Sequence, residues 1–180
     1  MTSNTVKLKE ISEFVRGITF SPKDVIEKAS KNSIGVIRTK NVQKFLDLDD
    51  VWQIDKKFIK NKKQYLVKGD LIVSSANSWN LVGKACWVDD LDFPCSFGGF
   101  VTVLRANKKK IHPRYLYYWF VSERTQIILR SLSNKTTNIS NLNLKKAGEI
   151  EIPVPSLEEQ SQIYRLLDKI NYIKELYVTT

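Results

Sequence analysis

Apolar positions change their period several times along this chain, and each change marks an element. Leu8, Ile11, Phe14 and Val15 recur at helical spacing with Gly17 as a stop, which predicts a first helix. A polar connector, "SPKDVIEKASKNS", follows, and "IGVIRTKNV" (Ile34–Val42) then predicts a buried strand running into a basic, polar end. "FLDLDDVWQIDKKFIKNKKQYLV" mixes short apolar pieces with charge and predicts no clear element. In "KGDLIVSSANSW" a Lys68-Gly69-Asp70 turn precedes a strand, Leu71–Val73, and a small-polar loop, Ser74–Asn80, carrying Trp79. Strands Leu81–Val88 and Gly98–Arg105 flank the turn-rich "DDLDFPCS". In the second of them Thr102 and Leu104 alternate with Val101, Val103 and Arg105, as in a half-buried strand. Pro113 opens one long helix, "PRYLYYWFVSERTQIILRSL", that directs Leu116, Trp119, Phe120, Ile127 and Ile128 to a core. "SNKTTNISNLNLKK" reads as a polar loop before a last strand, "EIEIP". The fold class expected is α+β, with strands dominating the middle of the chain.

The C-terminal segment is the most sharply punctuated. Pro153 and Pro155 cannot donate to a sheet, so the strand must end there. Ser156 and Glu159 form a capping box, and Glu158 and Glu159 sit at the positive end of the helix dipole. Beyond them Ile163, Leu166, Ile170, Ile173 and Tyr177 are spaced 3, 4, 3 and 4, a heptad seam on a helix of roughly 30 Å. Such a seam either packs back on the domain or faces a partner helix. Asp168, Lys169, Lys174 and Glu175 surround it with charge, which favours a helix projecting toward a partner. The division expected is a domain over 1–155 and a helix over 156–180.

Composition narrows the function. The 180 residues carry 29 Lys and Arg against 19 Asp and Glu, a net charge of +10, which suits a polyanionic partner. No apolar run approaches the ~18–20 residues of a membrane span, and the N-terminus lacks a signal-peptide pattern, so nucleic acid is favoured over a membrane. Cys86 and Cys95 are neither C-x-x-C nor near a histidine cluster, which points to structural thiols and a cytoplasmic location.

Catalytic and cofactor motifs fail one by one. Gly83-Lys84-Ala85 lacks the hydroxyl and upstream glycine of a P-loop. Phe97-Gly98-Gly99-Phe100 only superficially resembles a methyltransferase cofactor loop, and an Asn/Asp-Pro-Pro-aromatic tetrad is absent. Asp55 and Lys57, with Asp49 and Asp50 upstream, outline a small metal-dependent nuclease on paper, yet lie in a charged stretch without buried strands to hold them. His112, before Pro113, reads as a helix-start residue. No catalytic residue, metal or cofactor is assigned. DNA-binding candidates are Arg38, Lys40 and Asn41; Ser74, Ser75, Asn77, Trp79 and Lys84; and Lys135, Thr136, Thr137 and Asn138. Lysine and arginine hold phosphates, while Asn, Ser and Thr read base edges.

"KGDLIVSSAN…VGKA", "SFGGFVTVLR", "HPRYLYYWF", "TTNISNLNL" and "IPVPSLEEQSQIYRLLDKI", in that order, resemble one repeat of the DNA-specificity subunit of type I restriction–modification systems. The resemblance runs from Val6 to Tyr177 and is most specific at Thr136–Ser140 and Ile152–Gln160. It implies a strand-rich α+β target recognition domain followed by a conserved helix, non-catalytic in itself. It also implies partners: double-stranded DNA at a bipartite site, a methyltransferase (modification) subunit, and through the complex a restriction subunit. Where the family pairs two such units, this chain holds one, so it is either a half-subunit acting as a homodimer or a piece of a longer protein. A target recognition domain of a single-chain restriction–methylation enzyme is the alternative.

Overall fold

The structure, a computed structural model, describes residues 4–136 and 139–178. It opens with β1 (Thr5–Lys7), a single-turn α1 (Leu8–Ile11) and β2 (Ser12–Arg16). The middle holds β3 (Val25–Ile26), β4 (Ser33–Ile37), β5 (Trp52–Asp55), β6 (Leu71–Ser74), β7 (Ala76–Asn77), β8 (Ala85–Trp87), β9 (Cys95–Phe97) and β10 (Val101–Ala106). Then come α2 (Pro113–Val121), α3 (Glu123–Ser131), β11 (Ser133–Lys135), β12 (Ser140–Leu142), α4 (Leu144–Ala147), β13 (Glu151–Pro153) and α5 (Leu157–Val178).

A central antiparallel sheet, ordered β2-β10-β6-β8, is buried on both faces. Leu71, Val73 and Leu104 face the helices, against Leu8, Ile111, Leu116, Phe120 and Leu129. Ile72, Val101 and Val103 face the other way, against Ile37, Cys95 and Phe97. β10 is therefore not half-buried. Thr102 is 1% exposed, and its hydroxyl donates to the Val15 carbonyl at 2.7 Å, which removes the penalty of an unmade hydrogen bond. The second sheet, β3-β5-β4-β9, includes the parallel pair β4–β9. β9 begins inside the segment expected to be turn-rich. Both cysteines are free and buried, and burial pushes both thiols up to about 12, as suits structural cysteines.

Three further expectations change for local reasons. The N-terminal helix stops after one turn: the Ser12 hydroxyl donates to the Leu8 carbonyl at 2.7 Å, and β10 offers a ladder from Ser12 onward. The expected strand from Leu81 starts only at Ala85, because Gly83 holds φ at +84°, a left-handed conformation that ends a turn. The single helix after Pro113 breaks at Ser122 (φ −60°, ψ 145°), which caps α3 by accepting from the Thr125 amide. The break resets the helical phase: Leu129 becomes the buried residue and Ile127 is 54% exposed.

β13 pairs with β1, Val6 opposite Ile152, so the segment before the last helix is laced to the beginning of the domain. The capping box of α5 is made as expected: Ser156 N–H donates to Glu159, and Glu159 N–H to the Ser156 hydroxyl. α5 then docks on α2 by a polar stripe, Gln160, Tyr164, Asp168 and Asn171, spaced 4, 4 and 3 along one face. Gln160 is fully buried, accepts from the His112 amide at 2.7 Å and donates to the Pro155 carbonyl at 2.8 Å. Tyr164 stacks on His112 with centroids 4.2 Å apart. Asp168 accepts from Arg114 Nε at 2.9 Å and Nη2 at 2.7 Å, and from the Tyr118 hydroxyl.

Candidate nucleic-acid interface and helix seam

β4 delivers the first candidate segment through a tight turn at Thr39–Asn41. The Arg38 guanidinium lies 3.8 Å over the Trp52 ring and reaches Asp50 at 3.1 Å, while Lys40 is also paired with Asp50. Together Lys40 and Arg38 hold the Asp50 carboxyl below the usual range. Asn41 is fully buried: its amide donates to the carbonyls of Asp47 at 2.9 Å and Asp50 at 3.0 Å, and its oxygen accepts from the Arg38 amide. It organises the loop rather than facing solvent.

The second segment leaves β6 at Ser74, which is 1% exposed and accepts from Asn77 Nδ2 at 2.9 Å. Backbone bonds between Ser74 and residues 83 and 84 close the loop that displays Trp79. Lys84 Nζ donates to Gln43 Oε1 at 2.7 Å, and Gln43 Nε2 to the Lys40 carbonyl at 2.7 Å, joining this segment to the first. The third segment is a hairpin, not a loop. Its inner strand β12 pairs with β7, Ser140 opposite Asn77, making the three-stranded sheet β11-β12-β7. The Lys135 ammonium lies 5.8 Å from the Trp79 ring centroid. Thr136 stays local, its hydroxyl donating to the Ile139 carbonyl at 2.7 Å. Thr137 and Asn138 lie outside the described residues.

Three segments far apart in sequence are thus brought together. Residues 38–43, 74–84 and 133–141 contain Arg38, Lys40, Lys84 and Lys135, and not one of the chain's 19 acidic residues. That segregation was open to sequence inspection, since residues 124–148 contain no Asp or Glu. Gln43 and Phe100 adjoin these segments as well. Gln43 carries no sequence signal, whereas Phe100 follows a glycine pair between two strands. Asp55, the nuclease candidate, instead caps a turn by accepting from the Lys57 amide at 2.8 Å. Among the described residues, no three His, Cys, Asp or Glu side chains are grouped to hold a metal ion.

The heptad positions of α5 point away from the docked stripe: Ile163 is 40% exposed, Leu166 59%, Ile170 37%, Ile173 50% and Tyr177 79%. The helix does lie against the domain, then, but by a polar face, and near its far end Lys44 reaches Glu175 at 3.1 Å. Its apolar face is turned outward.

A family model described as the type I restriction modification DNA specificity domain matches residues 2–177. The chain belongs to that family. The specificity domain is a recognition component, not an enzyme. Among curated proteins, the chain is 30% identical over 168 residues to the type I restriction enzyme StySPI specificity subunit of Salmonella potsdam, covering 92% of this chain and 35% of that one. It is 30% identical over 162 residues to the EcoKI specificity subunit of Escherichia coli, covering 89% and 34%. The chain thus spans about a third of the length of the curated relatives it matches. Among solved structures, the HsdS subunit from Thermoanaerobacter tengcongensis superposes with a TM-score of 0.66 at 18% identity, covering 94% of this chain and 37% of that one. The S subunit from M. genitalium does so with a TM-score of 0.65 at 15% identity, covering 98% and 41%. At these identities the likeness is one of fold. No described helix is long and apolar enough to cross a membrane.

Proposed function

We propose that this specificity domain reads one half of a bipartite site in double-stranded DNA and acts as a homodimer. Residues 1–155 form the target recognition domain, and residues 156–180 the helix that pairs with the same helix of a second copy. The paired modules direct a methyltransferase subunit, and through it a restriction subunit, to DNA in a cytoplasmic complex. DNA lies across the surface that these three segments share: Lys40, Lys84 and Lys135 meet phosphates, while Ser75, Asn77 and Thr136 face the grooves.

The observation that carries this reading is the outward seam of α5. Five apolar side chains, each 37–79% exposed, line one face of a helix whose opposite face is fixed on α2. Exposed apolar area arranged in a heptad matches a second helix better than it matches water. Two copies related by a two-fold axis would present their DNA surfaces at a set separation and read an interrupted palindrome.

Sedimentation velocity at micromolar concentration tests the pairing. A dimer is expected for the unmodified chain, and Ile163→Lys with Ile170→Lys should convert it to a folded monomer. A monomer from the outset would rule out self-pairing. Sequencing fragments selected from a random duplex pool then tests the DNA reading: two short inverted half-sites at a fixed gap are expected. A single undivided half-site would mean that one module binds alone.

A further inference from the structure

Phe100 is 64% exposed, yet its backbone is pinned from several directions. It sits at the corner of the turn closed by Val101 N–H to the Gly98 carbonyl at 2.9 Å. Gly98 N–H donates to the Ile37 carbonyl at 2.9 Å, and Ile18 N–H to the Phe97 carbonyl at 2.8 Å. The Phe100 carbonyl accepts from the amides of Ser75 at 3.0 Å and Ala76 at 3.1 Å, anchoring the turn to the second candidate segment. Gly17 passes so close that a Cβ there would lie 2.1 Å from the Gly98 carbonyl oxygen. The ring is therefore held out on a rigid base, with only its own side-chain rotations free.

Its surroundings indicate what it meets. Ala76 pairs with Asn141 and Asn77 with Ser140, so Phe100 borders the same three-stranded platform as Lys135 and Trp79. Trp79 is 38% exposed, Leu81 43% and Ile139 42%. The platform that it borders carries the Lys135 ammonium 5.8 Å from the Trp79 ring, and its segments 74–84 and 133–141 hold no acidic residue. An exposed aromatic ring on a rigid base, at the border of a platform that carries Lys135, complements a duplex, whose phosphates take the cation and whose base stack takes the ring.

We propose that Phe100 is a wedge that enters a base step of the bound duplex. This rests on the DNA-binding reading above. The wedge makes part of the specificity indirect: a pyrimidine–purine step, the easiest to unstack, is preferred where the ring enters.

The test uses the intact chain, the duplex recovered by selection, and copies of it with 2-aminopurine at successive positions. The unmodified chain should raise 2-aminopurine fluorescence at one step, and that step should be pyrimidine–purine. Phe100→Ala removes an exposed side chain and should leave circular dichroism and the thermal midpoint unchanged. It should abolish the fluorescence rise and weaken binding to the selected duplex by about tenfold or more. Binding to random duplex and the salt slope should not change, since no charge is lost. Equal affinity and equal fluorescence in both proteins would overturn the proposal. So would normal DNA binding by Phe100→Ala with weakened capture of a methyltransferase subunit, which would assign the ring to a protein contact. No binding of any duplex by the unmodified chain would instead defeat the DNA reading, and the wedge with it.

Discussion

Asp70 is fully buried at the head of β6, where its carboxylate accepts from Arg105 Nε and Nη2, each at 2.7 Å, and from the Val67 amide at 3.0 Å. Arg105 also donates to the carbonyls of Lys63 and Tyr65, so one ion pair ties a loop to the central sheet. Removing one member strands the other, and Asp70→Ala should cost about 3 kcal/mol in denaturant unfolding. Glu149 is the surface counterpart. Lys9 and Lys7, at 2.5 and 2.9 Å, hold its carboxyl down to about 2 from an ordinary 4.5. A depressed carboxylate stabilises the fold above the unfolded value and loses that contribution as pH falls toward the folded one. Unfolding midpoints of the unmodified chain and Glu149→Gln should therefore converge between about pH 4.5 and 2. Residue type alone marked Asn41 as a base-reading side chain as readily as Asn77. Only the folded loop shows that the Asn41 amide is engaged internally.

At the scale of elements, the joint between α2 and α5 is the instructive case. The heptad of α5 was legible because apolar spacing is a property of the sequence itself. The stripe that docks the helix was not, because Gln160, Tyr164, Asp168 and Asn171 look like ordinary solvated polar residues until α2 supplies their partners. His112 performs two tasks in that joint: its Nδ1 accepts from the Arg114 amide at 3.2 Å, capping α2, and its ring stacks on Tyr164. Burial, and then the nearby Arg165, hold its pKa below the ordinary 6.5. The unfolded chain takes up that proton first, so stability should decline as pH falls below about 6.5. His112→Asn keeps a cap without the titration, and its unfolding midpoint should fall less between pH 7.5 and 5.5. Asp168→Ala should speed amide exchange along the first half of α5 severalfold, without unfolding the central sheet.

At the scale of the molecule, the distribution of charge matters more than its total. The +10 excess announced a polyanion, but placing it required the contacts that join residues 38–43, 74–84 and 133–141 into one surface. Lys40 is partly neutralised by Asp50, whereas Lys135 rests beside an aromatic ring. Lys135→Ala should lower the slope of log affinity against log salt by about one, and Lys40→Ala by less. Equal slopes for both variants and the unmodified chain would put DNA on another face.

What the sequence determined by itself is whatever depends on local order: the α+β class, the proline stop before α5, its capping box and heptad, and the surplus of lysine. These follow from backbone geometry and residue spacing within a few turns. What only the tertiary structure decided depends on partners distant in the chain. β10 turned the continuation of a predicted helix into β2, and β4 made a parallel strand at the end of a segment that reads as turns. α2 took the polar face of α5 and left the apolar one outward. Hydrogen bonds and buried area are shared between residues tens of positions apart, and no local spacing records who those partners will be.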